Sequence, residues 1–200
     1  IQDTVHESIE LPEGYHIEYG GQFESQQAAS KTLMLTSIFA IIVIFLLLFR
    51  QFRNATQSLV ILLNLPLALI GGVLVIWLTD GVVSIPAIIG FISLFGIATR
   101  NGMLLIARYN DLRASGMSLV DSVMTGSEDR LNPILMTALT SALALIPLAL
   151  GGELPGNEIQ SPMAKVILGG LFSSTLLNGF IVPIMYLITN KNTKIEEEKL

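Results

Sequence analysis

The stretch Ile85–Ile106, IPAIIGFISLFGIATRNGMLLI, decides the fold of this chain because it places a cation inside an otherwise apolar run. Its apolar part, Ile85–Ala98, would form only about 21 Å of helix, less than the roughly 30 Å hydrocarbon core of a bilayer. Continuing the helix through Arg100 to Ile106 reaches the needed length. A charge inside a bilayer costs roughly 2.5 kcal/mol or more, so Arg100 is a candidate functional residue.

The composition predicts an all-α polytopic membrane protein. Hydrophobic residues make up 52% of the 200-residue chain and charged residues only 14%, and the charges lie between the apolar runs. Each run approaches or exceeds the length that crosses a bilayer. The five predicted transmembrane helices are 33–49, 59–78, 85–106, 131–150 and 163–188.

The distribution of Lys and Arg predicts the orientation of the chain. Eight basic residues follow the first, third and fifth spans, whereas two lie on the other side. Cytoplasmic segments carry the excess of Lys and Arg, so we expect a cytoplasmic C-terminus and an external N-terminal segment. The net charge of −5 and the lack of a basic-aromatic pattern give no indication of nucleic-acid binding.

Residues 1–30 are predicted to form a short strand at Tyr15–Tyr19, ended by Gly20-Gly21, and then a helix that runs into the first span. The chain opens with Ile1 and has no signal peptide, so we interpret it as the C-terminal piece of a longer protein. His6, His16 and Glu18 match no known metal-ligand spacing and are interpreted as exposed residues. The identity of any metal site stays unknown.

The faces of three spans suggest a polar interior. Small residues at helical spacing share a face with Arg100, and small residues favour close helix contact, so we expect this face to point at other helices. Bulky residues such as Phe91 and Phe95 are expected to face lipid. The residues predicted to pack around Arg100 are Gly96, Ser141, Gly170, Ser174 and Asn178. Ordinary helix packing is the alternative for the small residues, and snorkelling to the interface, two turns from Arg108, is the alternative for Arg100.

Two further polar features have simple structural interpretations. Asn64 is interpreted as a helix–helix hydrogen bond, and 118–124 as a short amphipathic helix on the membrane surface. The chain contains no cysteine and none of the Ser-His-acid, Walker or HExxH patterns. We therefore expect neither an enzyme nor a cofactor.

Four parts of the chain resemble the resistance-nodulation-division (RND) efflux pumps. Gly90–Ile106 resembles their tenth transmembrane helix, and Arg130–Ala138 followed by Ala144–Leu148 resembles the eleventh. Pro155–Met163 with Ile167–Gly170 is similar to the loop and twelfth helix of the heavy-metal branch. Leu11–Tyr15 with Gly20–Glu24 is similar to the end of the periplasmic porter domain. The chain is therefore identified as a C-terminal fragment of such a pump.

The resemblance implies a proton-driven efflux subunit in the bacterial inner membrane that exports heavy-metal cations by proton antiport. Residues 1–30 would end the porter domain, 31–190 would form the transmembrane domain, and 191–200 would be a cytoplasmic tail. The partners implied are protons, metal cations, the N-terminal half of the same pump, a homotrimer, a periplasmic adaptor, an outer-membrane channel and the lipid bilayer.

The resemblance also implies a site. In the family, acidic residues of the N-terminal half carry protons and a basic residue of the tenth helix pairs with them. Arg100 occupies that place, with Thr99 and Asn101 beside it, and Thr137 matches a polar position of the eleventh helix in the same relay. Arg holds its proton firmly, so Arg100 would act as a fixed counter-charge.

Two other functions stay open at this stage. One is a multidrug or amphiphile pump of the same superfamily, which would share the relay and differ in its upstream binding pocket. The other is a non-transport or protein-export membrane component in which Arg100 only packs or snorkels. The upstream sequence, above all the acids of its fourth helix, would separate these possibilities.

Overall fold

The computed structural model describes residues 22–79, 81–152 and 154–197, and these residues are helical apart from short connections. The predicted strand at Tyr15–Tyr19 lies outside the described residues. Five helical segments are long and apolar enough to cross a membrane, which confirms the predicted fold class. The helices are α1 (Gln22–Phe52), α2 (Ala55–Leu62), α3 (Asn64–Leu78), α4 (Ile85–Ala114), α5 (Leu119–Leu150) and α6 (Gln160–Glu197).

The second span consists of two helices, whereas the sequence predicted a single helical span at 59–78, with Pro66 as a possible bend. It consists of α2 and α3, separated by a turn at Leu63. Pro66 follows three residues later and has no N–H to bond the carbonyl of Leu62, so the helix cannot continue through this point without loss. The break places Asn64 at the first position of α3.

The surface helix predicted at 118–124 is wrong as a separate element. Ser118 caps α5, because its Oγ accepts a 3.2 Å hydrogen bond from the Asp121 N–H, and the helix then runs on to Leu150. At 32 residues, α5 is about 48 Å long and extends well beyond the hydrocarbon core. Gly116, with φ of 92°, lies in the connection that precedes it.

Helix α6 is central to the packing, and it contacts α3, α4 and α5. It runs antiparallel to α3, since Gly169 meets Gly71 while Ser173, one turn later, donates a 3.0 Å hydrogen bond to the Leu67 carbonyl. It runs parallel to α4, since Gly170 meets Leu94 and Tyr186 contacts Asn110. Large apolar side chains such as Trp77 and Phe172 stay 74% and 75% exposed, as lipid-facing residues do.

One end of the helix bundle is basic, and we call it the basic end. It comprises the C-terminal parts of α1 and α4 and the N-terminal parts of α2 and α5. A side-chain network of Gln57, Asn110 and Tyr186 joins three helices near this end. The arginines of this region are Arg50, Arg53, Arg108, Arg113 and Arg130.

Candidate functional site around Arg100

Arg100 lies near the middle of α4 and is exposed on the surface of the described helices. Arg100 lies about 22 Å along the helix axis from Ile85 and roughly 21 Å from Ala114. Within the described residues, its guanidinium has no hydrogen bond and no ion pair. A charge this deep in a membrane span requires a partner or water, so this surface is the candidate site.

The face of α4 around Arg100 is open. A Cβ atom added at Gly96 would meet no atom within 4 Å, and Ser93 is exposed and donates a 3.0 Å hydrogen bond to the Ile89 carbonyl of its own helix. The expectation that other helices of this chain enclose Arg100 is therefore wrong for the described part of the protein. The expectation that Phe95 faces lipid is also wrong, because it is buried against α3.

The two neighbours of Arg100 point into the protein. Thr99 is buried and its hydroxyl donates a 2.7 Å hydrogen bond to the Phe95 carbonyl of the preceding turn. Asn101 is only 2% exposed, and its Nδ2 has no hydrogen-bond acceptor among the described residues. Three consecutive side chains thus combine an exposed cation with two buried polar groups.

Thr137 and Ser141 lie one turn apart on α5 and are half-buried. The Thr137 hydroxyl donates a 2.9 Å hydrogen bond to the Pro133 carbonyl, so its proton is used within its own helix. No hydrogen bond joins Thr137 to Arg100 within the described residues. The two residues that the resemblance assigns to one relay are therefore on separate helices with no hydrogen bond between them in the described part of the protein.

The small residues of α6 pack against α3 and α4 rather than against Arg100. Gly170 sits so close to Leu94 and the Ala68 carbonyl that a Cβ there would overlap the Leu94 side chain. Ser174 is fully buried and donates a 3.2 Å hydrogen bond to the Leu171 carbonyl. Ordinary close packing of helices, the alternative interpretation, describes these two residues.

A group of buried asparagines was not predicted as a site. Asn64, Asn101 and Asn178 come from α3, α4 and α6, and each is almost fully buried. Asn64 was interpreted as a helix–helix hydrogen bond, yet neither its Oδ1 nor its Nδ2 has a partner among the described residues. The sequence signal was present, since a carboxamide inside an apolar span is costly unless it is bonded.

Polar contacts at the basic end also escaped the sequence interpretation. Asn110 donates a 2.9 Å hydrogen bond to Gln57 Oε1, and its Oδ1 accepts a 2.7 Å hydrogen bond from the Tyr186 hydroxyl. Arg108 forms a 2.6 Å ion pair with Asp129, with side chains 35% and 41% exposed. These contacts tie α4 to α2, α5 and α6, and they leave Arg100 without a counter-ion.

The described residues contain no group of three or more His, Cys, Asp or Glu side chains that could hold a metal ion. The loop similar to that of the heavy-metal branch has a structural role: Asn157 donates a 3.1 Å hydrogen bond from Nδ2 to the Gly151 carbonyl. Its backbone carbonyl accepts a 2.9 Å hydrogen bond from the Ser161 N–H at the start of α6. In the described residues, the loop therefore shapes the entry into α6.

Membrane-spanning helices with an exposed cation on one face and buried amides on the other define a polytopic helical membrane protein that carries polar groups inside its apolar spans. The chain belongs to the AcrB/AcrD/AcrF family, whose model matches residues 1–190. This match confirms the resemblance to the RND efflux pumps.

Individual relatives agree with the heavy-metal branch. The chain is 36% identical over 195 residues to the cobalt-zinc-cadmium resistance protein CzcA of Cupriavidus metallidurans, and this alignment covers 98% of the chain and 18% of CzcA. It is 41% identical over 192 residues to the protein HelA of Legionella pneumophila, covering 96% of the chain and 18% of HelA. The chain thus spans under a fifth of the length of these relatives.

A crystal structure of a heavy metal efflux pump resembles the chain with a TM-score of 0.80 and 34% sequence identity. The likeness covers 95% of the chain and 19% of the pump. These comparisons confirm the expected resemblance to the heavy-metal branch of the RND efflux pumps, whose members are transporters rather than enzymes.

Proposed function

We propose that this chain is part of a proton-driven efflux pump that exports heavy-metal cations from the cell by proton antiport. The observation that carries the proposal is Arg100, a cation in the middle of a membrane-spanning helix that has no partner among the described residues. Membership of an efflux family and the likeness to metal-resistance proteins support the proposed substrate class.

Arg100 acts in this proposal as a fixed counter-charge. Arg keeps its proton at any physiological pH, so it cannot carry protons itself. A fixed positive charge lowers the pKa of a nearby carboxyl group, which lets that group release a proton that it has taken up. Carboxylates from the part of the pump outside this chain would supply the groups that titrate.

The open face of α4 is the place where those carboxylates would approach. Gly96 has no neighbouring atom there and Ser93 is exposed, so another helix can lie close to the backbone of α4 beside Arg100. Thr99 and Asn101 hold polar groups on the buried side, and Thr137 supplies a hydroxyl from α5. Together with Arg100, these three residues form the proposed relay segment of the chain.

The proposed setting is the inner membrane of a bacterium. The basic end would face the cytoplasm, because Lys and Arg accumulate on that side of membrane proteins. Residues 1–30 would belong to the periplasmic porter domain. The family resemblance further implies a homotrimer that works with a periplasmic adaptor and an outer-membrane channel.

The test replaces Arg100 in the full-length pump and measures metal tolerance of the host together with proton flux in vesicles. Arg100→Ala should abolish tolerance and metal-dependent proton flux, because the carboxylates lose their counter-charge and retain their protons. Arg100→Lys should keep part of both, since the charge remains while the planar fork is lost. Thr137→Ala should have a smaller effect, because it removes a hydroxyl group and no charge.

The matched control is Arg50→Ala, which removes an exposed arginine at the end of α1. This variant should insert normally and confer wild-type tolerance at equal membrane abundance. Wild-type tolerance of Arg100→Ala would show that Arg100 only snorkels, and the relay role would be abandoned. If amphiphiles stimulate proton flux in the wild-type pump and metals do not, the pump would be assigned to the multidrug type.

A further inference from the structure

Three carboxamides from three helices are buried together behind Arg100. Asn64 is fully buried at the start of α3, Asn178 is 1% exposed on α6, and Asn101 is 2% exposed on α4. The three residues belong to spans that are long and apolar enough to cross a membrane. We call them the asparagine layer.

Helix packing places the three residues at one level of the bundle. The Asn64 side chain lies directly against Gly102, so α3 and α4 meet beside Asn101. The same sequence offset separates Leu94 from Gly170 and Asn110 from Tyr186, which are two contacts of the parallel helices α4 and α6. Interpolation between these contacts sets Asn178 level with Gly102.

The amides of the layer have no hydrogen-bond partners in the described part of the protein. Both polar atoms of Asn64, both of Asn178 and the Nδ2 of Asn101 are fully buried and unbonded. Elsewhere in the described residues, only Thr175 Oγ1 shares this property, and it lies one turn before Asn178. Unbonded buried amides are rare in folded proteins, and each one requires an explanation.

Apolar residues close the layer on both sides along the bundle. Toward the basic end lie Ile61, Leu105, Ile106 and Val182, and away from it lie Leu65, Leu94 and Ala98, all buried. The side chains of these seven residues are apolar and offer no group that could bond the amides. Although they share a level, no two of the three amides form a hydrogen bond with each other.

We propose that the asparagine layer is an internal hydration site, in which bound water bridges α3, α4 and α6. A carboxamide offers two donors and an acceptor, and water, which both donates and accepts, can satisfy such a set. Buried waters typically make about three hydrogen bonds to polar groups that otherwise lack partners. Polar groups at one level that do not bond each other directly are a setting in which a bridging water can satisfy them.

A metal cation fits the layer less well than water does. The layer contains no carboxylate, and Asn101 directly follows the cation Arg100 in the sequence. Hard cations in proteins are held by several oxygen ligands that usually include carboxylates. Only three carboxamide oxygens are present, and three carboxamide nitrogens compete as donors.

The first test is a structure of the full-length protein in lipid nanodiscs, determined by electron cryomicroscopy at a resolution that shows ordered water. We expect density within hydrogen-bonding distance of at least two of the three asparagine side chains. Direct amide–amide hydrogen bonds with no density between them would overturn the proposal. Density whose occupancy depends on the sodium concentration would identify a cation and would also overturn it.

The second test is X-ray hydroxyl-radical footprinting, in which radicals formed from bound water oxidise adjacent side chains. Ile61 and Leu105 border the layer and are almost fully buried, so bulk water cannot label them. We expect both to be labelled in the wild-type protein and the labelling to fall several-fold in Asn178→Leu, which removes a polar group at similar volume. Unchanged labelling in this variant would contradict the hydration site.

The matched control is Ser174→Ala, one turn from Asn178. Ser174 is equally buried, but its hydroxyl already bonds the Leu171 carbonyl, so its removal should leave the labelling of Ile61 and Leu105 unchanged. Size-exclusion profiles establish that each variant is folded. The density and the labelling of the wild-type protein test the hydration site without any variant. Their outcome is independent of the proposed efflux function.

Discussion

The Tyr186 hydroxyl donates a 2.7 Å hydrogen bond to Asn110 Oδ1 and thereby joins α6 to α4 near the basic end. The same Oδ1 accepts a 3.3 Å hydrogen bond from Gln57 Nε2, while Asn110 Nδ2 donates to Gln57 Oε1. The rings of Tyr109 and Tyr186 lie against each other with centroids 5.0 Å apart. One asparagine therefore connects three helices through bonds that use both of its polar atoms.

Replacing Asn110 should destabilise the protein more than replacing Tyr186. Asn110→Ala leaves the polar ends of Gln57 and Tyr186 unbonded in a part-buried site, which should cost about 1–3 kcal/mol. Tyr186→Phe removes one hydrogen bond and should cost about 0.5–1.5 kcal/mol. Thermal unfolding of the purified full-length variants in one detergent would give the order.

Thr140→Ala is the control for this comparison, because Thr140 is exposed and bonds only the Met136 carbonyl of its own helix. Its unfolding midpoint should match that of the wild type. A larger loss for Tyr186→Phe than for Asn110→Ala would contradict the central role of Asn110 in the network.

Close packing of α3 on α6 depends on Gly71. A Cβ at this position would overlap the Gly169 carbonyl oxygen and the Ser173 side chain, and the backbone atom cannot move aside cheaply. Gly71→Ala should therefore cost about 1–3 kcal/mol, the usual range for overpacking. Gly179→Ala is the matched control, since a Cβ there meets no described atom within 4 Å. Equal unfolding midpoints for the two variants would refute the packing described for α3 and α6.

The fold was largely predictable from the sequence, because each span is a long apolar run and only helices satisfy the backbone of such a run in lipid. The break at Leu63 was not predicted, since a proline inside a membrane helix often only bends it. The unbroken α5 was not predicted either, because 118–124 has the polarity of a surface helix and nothing in it indicates continuation.

The site was predictable only in part. Arg100 is conspicuous in the sequence, because a charge in an apolar run is rare. The asparagine layer depends on the register of α3, α4 and α6, and the periodicity of one helix carries no information about its register against another. Asn64 and Asn178 were therefore noticed separately, and their common level was visible only in the fold.

The proposed orientation predicts the side of each connection. Reporter fusions after Asn54, Gly116 or Asn190 should be active in the cytoplasm, because these positions adjoin the arginine-rich helix ends or follow the last span. Fusions after Gly81 or Gly156 should be active in the periplasm. The measurement is a pair of reporters with opposite compartment requirements at each position. A periplasmic signal after Gly116 would reverse the assignment of the basic end.

The open face of α4 should be covered by the remainder of the full-length protein, whereas bulky exposed residues should contact lipid. Ser93 and Phe172 are both exposed on the described helices, yet small residues favour helix contact and large apolar ones favour the bilayer. A photoreactive phenylalanine analogue at Ser93 should therefore cross-link to protein segments outside residues 1–200. The same analogue at Phe172 should cross-link mainly to phospholipid. Mass spectrometry of the cross-linked peptides would identify the segment opposite Arg100, and we expect that segment to carry at least one carboxylate. Cross-linking of position 93 to lipid alone would show that Arg100 faces the bilayer without a protein partner.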